Sequence, residues 1–147
     1  MVDTPPPGMA ESLLAFSRAL RSRHAALLAP HGLHPGQDAL LMLLWQSPGL
    51  RQADLAVRLG VEPPTITRMV RRLERGGLVE RRRDPDDARV MRIYSTPRAR
   101  LLEVIVRRVW SELENELTAA LGAAGAAELS HLLQVAGGRL ASPPPAQ

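Results

Sequence analysis

The chain has 147 residues, with 19 cations that are all Arg, 15 acidic residues, four His and no Cys. The missing thiols exclude a disulfide scaffold, a cysteine nucleophile, a Cys-ligated metal and thiol redox sensing. Apolar residues make up 45% but aromatics only 3%, so Leu, Ala and Val must fill the core of what length suggests is one domain or two small lobes.

In chain order, residues 1–9 and 141–147 are Pro-rich and read as disordered tails. MVDTPPPGMAES lacks a basic region followed by an apolar stretch, and no apolar run approaches the ~20 residues of a membrane span. A soluble, cytoplasmic protein is expected. Residues 10–29 place Leu13, Phe16, Leu20, Leu27 and Leu28 along a helical stripe that Pro30 and Gly32 end. A second helix starts near Pro35 and carries Leu40, Leu41, Leu44 and Trp45 as far as Ser47-Pro48-Gly49. A third covers 51–59, with Gly60 as its stop. Pro63-Pro64 opens a fourth, because a first-turn Pro lacks only an N–H that had no helical partner, and Gly76-Gly77 closes it. Two extended segments, 78–83 and 89–95, flank the turn-rich DPDDA and read as a β-hairpin with a charged tip. From Pro97 a long helix runs to about Leu121 with Leu102, Val106, Val109, Leu113 and Leu117 on one stripe. Gly122 to Gly125 breaks it, and a last helix covers about 126–139 through Leu129, Leu132, Leu133 and Ala136. The fold class is therefore mainly α with a small β-hairpin.

Charge is unevenly spread. Residues 1–50 are net neutral, residues 51–100 carry thirteen Arg against seven acids, and residues 101–147 are net acidic. A cationic middle third is the footprint of a polyanion partner. The short helices of 51–59 and 63–75, joined by Gly60-Val61-Glu62, have the spacing of a helix-turn-helix. With Ile66, Val70 and Leu73 inward, Thr65, Thr67, Arg68, Arg72 and Arg75 fall outward. Guanidinium forks suit guanine edges and phosphate, Thr hydroxyls reach phosphate or bases, and the methylenes of Pro63 and Pro64 suit a thymine methyl.

The stretch from Gly49 to Ala99 resembles the winged helix-turn-helix core of the MarR family of bacterial transcriptional regulators. QADLAVRLGV resembles the family's first motif helix, and TITRMVRRLERGGLVERR its recognition helix and first wing strand. DPDDAR, with Asp87-Ala88-Arg89, resembles its wing tip, and STPRAR the boundary into its long dimerisation helix. The resemblance spans about residues 10 to 140. It implies a winged helix-turn-helix DNA-binding domain over 35–96 and a helical dimerisation region over 10–34 and 97–140. It also implies a homodimer on a pseudo-palindromic double-stranded DNA operator, regulated by a small effector such as an aromatic acid, most simply as a repressor. Arg89 is then the minor-groove residue with Asp87 orienting it, and Arg81 and Arg83 are backbone contacts from the wing strand. The sequence departs from the family at several positions. Arg51 replaces a helix-capping Thr or Ser, Glu62 replaces a Ser and is expected to cap the next helix, and Arg71 replaces a frequent Asp.

Other features carry less. His24 and Trp45 are the candidates for an effector pocket, against ordinary packing at a helix junction. His31 and His34 do not share a helical face and, without Cys, make no expected metal site. Met42, Met69 and Met91 read as core filler. No catalytic set and no cofactor motif is present. The alternative reading is a winged-helix module that binds another protein without responding to a ligand.

Overall fold

The computed structural model describes residues 8–141. The expected tails, 1–9 and 141–147, lie outside the described residues except at Gly8, Met9 and Ala141, and Met9 and Ala141 are helical. The chain falls into two compact units, one through Val109 and one from Trp110 onwards.

The first unit begins with α1 (Met9–Leu28), and a single 3-10 turn, Ala29–His31, leads out of it. There follow α2 (Gln37–Gln46), β1 (Leu50–Arg51), α3 (Gln52–Leu59) and α4 (Pro63–Arg75). β2 (Val79–Arg83) and β3 (Met91–Ser95) form the hairpin, and α5 (Pro97–Arg100) leads into α6 (Glu103–Ala141). The strands make one antiparallel sheet in the order β1-β3-β2. Val79 pairs with Ser95 at one end of the hairpin and Arg83 with Met91 at the other. The two-residue β1, which the sequence pattern does not separate from the third helix, adds Leu50 opposite Ile93.

The core sits where the three helices α2, α3 and α4 meet the root of the sheet. Leu40, Leu41 and Leu44 of α2, Leu55 of α3, Ile66, Val70 and Leu73 of α4, and Ile93 of β3 are all buried. Apart from Ile93, these are the positions their helical spacing predicts. Burying a side chain of this size is worth ~1.5–3 kcal/mol, so α4 is held by three such anchors along one face. Its opposite face is left to the arginines.

Several boundaries differ from expectation: β3 begins at Met91 and not at residue 89, β2 and α3 each begin one residue late, and two helix boundaries differ more. The long helix does not start at Pro97: α5 is one turn, capped by the Thr96 hydroxyl, which accepts from the Ala99 N–H at 3.3 Å, and α6 begins at Glu103. In the second unit the break expected between Gly122 and Gly125 is confined to Gly122, whose φ of 71° is open to glycine without a Cβ penalty. Helical geometry resumes at once and runs to Ala141. There Leu113 is buried, while Leu132 and Leu133 of the expected stripe are exposed in the single chain. Leu13 and Phe16 of α1 are also exposed. Among the described residues, no helix is long and apolar enough to cross a membrane.

Candidate nucleic-acid interface

The outward face of α4 holds the densest uncompensated charge in the first unit. Arg68, Arg71, Arg72 and Arg75 are all exposed, and none has an acidic partner among the described residues. Arg68 reaches only the Thr65 hydroxyl, at 3.5 Å. Pro63 and Pro64 stand exposed at the helix start, where the Glu62 carbonyl accepts the Thr65 and Ile66 N–H groups. The expected cap by the Glu62 carboxylate does not form.

Thr67 does not take the outward role that its spacing suggests. Its hydroxyl donates to the Pro63 carbonyl at 2.8 Å and accepts from Gln52 Nε2 at 2.7 Å. A hydroxyl has one proton to give. That proton is used inside α4, and the Gln52 bond braces α3 against α4, so Thr67 positions the helix instead of presenting a donor.

At the start of α3, Arg51 lacks the hydroxyl of a usual cap, and Asp54 compensates. Its carboxylate accepts the Arg51 backbone N–H at 3.2 Å and the guanidinium Nε at 3.1 Å. The same guanidinium holds the Asp54 carboxyl below its ordinary range.

In the hairpin, most of the charge is already used. Arg81, half-buried, pairs with Glu74 of α4 at 3.2 Å, which ties β2 to the helix and occupies the guanidinium expected to face the DNA backbone. Arg82 pairs with Glu80 and lies 4.9 Å from the centre of the Tyr94 ring. Arg92 pairs with Asp84. Arg83 and Arg89 remain exposed, with no ion pair among the described residues. Asp87 does not hold the Arg89 guanidinium as expected: its Oδ1 accepts the Arg89 backbone N–H at 3.0 Å, fixing the chain at the tip. Met91 is exposed and Met42 and Met69 are only partly covered, so none of the three is fully buried filler.

Sequence reasoning misses Asp84, Arg92, Gln52 and Glu74. Asp84 carries a signal, since an Asp before Pro at the start of a tight turn commonly accepts N–H groups two and three residues on. The others need the tertiary fold.

The structure covers both expected pocket residues, His24 partly and Trp45 almost wholly. His24 Nε2 lies 2.8 Å from the buried Asp38 carboxylate, joining α1 to the start of α2. Trp45 is buried in α2. Neither lines the cavity of about 640 Å³ beside α4, whose walls include His34, Gln37, Met69, Arg68 and Arg72.

Comparison with known proteins agrees with this geometry. The sequence profile of the MarR family matches residues 33–91. The transcriptional regulator TtmR of Methylorubrum extorquens is 39% identical over 89 residues, covering 60% of this chain but only 44% of that protein. This chain thus aligns with less than half the length of TtmR. A transcriptional repressor of Mycobacterium tuberculosis is 33% identical over 111 residues, covering 73% of this chain and 80% of the repressor. The solved structure of the repressor CouR bound to a 23-mer DNA duplex superposes with a TM-score of 0.80 at 29% identity, covering 88% of this chain and 92% of that one.

Proposed function

The chain belongs to the MarR family, and from that premise we propose that it is a sequence-specific, double-stranded-DNA-binding transcriptional regulator, acting in the cytoplasm as a homodimer and most simply as a repressor. In this reading α4 enters the major groove and the β2–β3 hairpin is the wing. Residues 35–96 make the DNA-binding domain, and 10–34 with 97–140 the dimerisation region. The observation that carries it is the α4 face, where four arginines stand without acidic partners among the described residues while neighbouring arginines are paired. Free guanidiniums on a helix held by three buried anchors suit base edges and phosphates. Pro63, Pro64, Thr65, Arg68, Arg72 and Arg75 are the proposed contacts from the helix, and Arg83 and Arg89 those from the wing.

Dimerisation is supported by the exposed Leu13 and Phe16 of α1 and Leu132 and Leu133 of α6, which a second copy covers most simply. Sedimentation at micromolar concentration should give twice the 16.0 kDa chain mass; a clean monomer rejects the dimer. Effector response is supported by the cavity beside α4, which puts Arg68 and Arg72 on its wall. An aromatic carboxylate bound there competes with DNA for the same guanidiniums. The deciding experiment is a gel shift of the full-length chain against a random-sequence duplex pool at several salt concentrations, repeated with benzoate-class acids. Enrichment of a pseudo-palindrome supports the reading. Salt-sensitive binding without any sequence enrichment rejects it, and enrichment unaffected by the acids rejects only the effector. A protein-binding module, the alternative, predicts no enrichment at all.

A further inference from the structure

One polar cluster has no part in the contacts proposed above. Asp84 is only 7% exposed although it opens the charged turn of the hairpin. Its Oδ1 accepts the backbone N–H groups of Asp86 and Asp87, at 2.8 and 3.2 Å, and its Oδ2 accepts from Arg92 Nε. Arg92 donates with its Nη1 to the Gly49 carbonyl, at 2.9 Å.

Gly49 is gripped by three consecutive residues of β3. Arg92 holds its carbonyl, the Ile93 carbonyl accepts its N–H at 3.0 Å, and Tyr94 Oη lies 2.7 Å from where a Cβ would stand. With φ at +78° as well, the position accepts only glycine without strain. Three residues later Gln52 opens α3 and braces Thr67 of α4. Polar contacts, joined by the short chain from Gly49 to Gln52, therefore connect the hairpin tip to the two helices of the helix-turn-helix.

Resting on the DNA-binding reading, we propose that Asp84 and Arg92 are positioning residues that lock the wing tip to the Gly49 loop and so set where Arg89 stands relative to α4. Contacts to a groove tolerate about half an ångström of misplacement, and a projecting hairpin meets that only if something inside the protein holds it. Arg92 suits the task because its planar fork satisfies two acceptors in different directions, which a lysine ammonium on a flexible stem does less well. Asp84 suits it because one carboxylate collects two backbone N–H groups and a guanidinium, fixing the turn and the strand together. Arg92, engaged inward, is then no DNA contact although its side chain is 39% exposed.

The test uses the full-length chain and a duplex that it enriches from a random pool, made in two forms, with A·T or G·C pairs where the wing falls. The parent is expected to prefer the A·T form, whose narrow minor groove attracts a guanidinium. Asp84→Asn, Arg92→Lys and Arg92→Met should keep a cooperative melt and the dimer. They should lose about tenfold in affinity on the A·T form and little on the G·C form. In an Arg89→Ala background, Arg92→Met should cost nothing further, because the residue it positions is gone. Parent-like binding by Arg92→Lys overturns the proposal, since charge alone would then suffice. Additive losses for Arg89→Ala and Arg92→Met overturn it too, by putting Arg92 on the DNA itself. Should Arg92→Met fold poorly, Asp84→Asn decides, and an unchanged A·T preference in that variant overturns the clamp. A parent chain that enriches no duplex overturns the DNA reading and the clamp with it, whereas a binding parent with unaffected variants overturns the clamp alone.

Discussion

The α4 helix and the wing are both rich in arginine, yet they use it in opposite ways. On α4, Arg68, Arg71, Arg72 and Arg75 stand exposed without acidic partners among the described residues. On the hairpin, Arg81, Arg82 and Arg92 are paired with Glu74, Glu80 and Asp84, and Arg83 and Arg89 have no ion pair among the described residues. The helix has three buried side chains to hold it, so its cations can face outward. A hairpin of two five-residue strands has little apolar surface to bury and is stiffened by ion pairs and hydrogen bonds instead. Counting arginines thus overstates the contact surface of the wing. What matters is which guanidiniums remain unpaired.

The sharpest way to break this comparison is on the helix. Arg68→Ala or Arg72→Ala should each cost roughly 1–3 kcal/mol on an enriched duplex and relax base preference where the side chain reads. Repeating the pool selection with each variant checks this; an unchanged consensus in both would show that α4 does not read bases. Next comes the free wing cation. Arg89→Ala should lose about tenfold in affinity and make the salt dependence shallower by about one unit of slope, with the fold intact. Binding isotherms at several salt concentrations that match the parent would remove Arg89 from the interface.

Arg81 then separates paired from unpaired charge. Arg81→Ala removes one positive charge from the same hairpin, but from a tie to Glu74 and not from the DNA. Stability should fall by at most about 1 kcal/mol, since both side chains are partly solvated, and affinity should stay within about twofold of the parent. A loss equal to that of Arg89→Ala would mean that the pair opens when DNA binds.

Much of this is legible in the amino-acid sequence itself. The 3.6-residue spacing of Ile66, Val70 and Leu73 orients α4, and with it the arginines on the other face. The Asp- and Pro-rich turn locates the hairpin tip. What spacing does not reveal is where polar side chains place their hydrogen bonds. Thr67 looks like a contact because spacing puts it outward, and Arg81 because the family resemblance puts it on the wing strand; only the neighbouring Gln52 and Glu74 show that they are occupied. The two-residue β1 is invisible in the sequence for a related reason: Leu50 and Arg51 are extended because β3 lies beside them and Gly49 turns the chain into register. Local propensity holds no trace of such a partner.

Acid makes the smallest of these effects, and it tests the wing from inside. The Asp84 carboxyl is held below the usual carboxylate range, first by the Asp86 N–H and then by the Arg92 guanidinium. A carboxyl with a lowered folded-state pKa stabilises the fold fully above its unfolded value, about 3.9 for Asp, and that contribution fades as pH falls through the lower folded value. Asp54 and Glu103 are lowered in the same direction by Arg51 and Arg107, so acid unfolding of the parent alone does not isolate Asp84. The difference between the parent and Asp84→Asn does, because the other carboxyls are common to both chains. Melting midpoints should show the parent ahead of Asp84→Asn by a constant margin from pH 7 down to about pH 4. The margin should shrink below that as Asp84 takes a proton and comes to resemble the amide. A margin that closes already between pH 6 and 5 would mean that Asp84 titrates above its ordinary range, and so that its charge does not hold the wing.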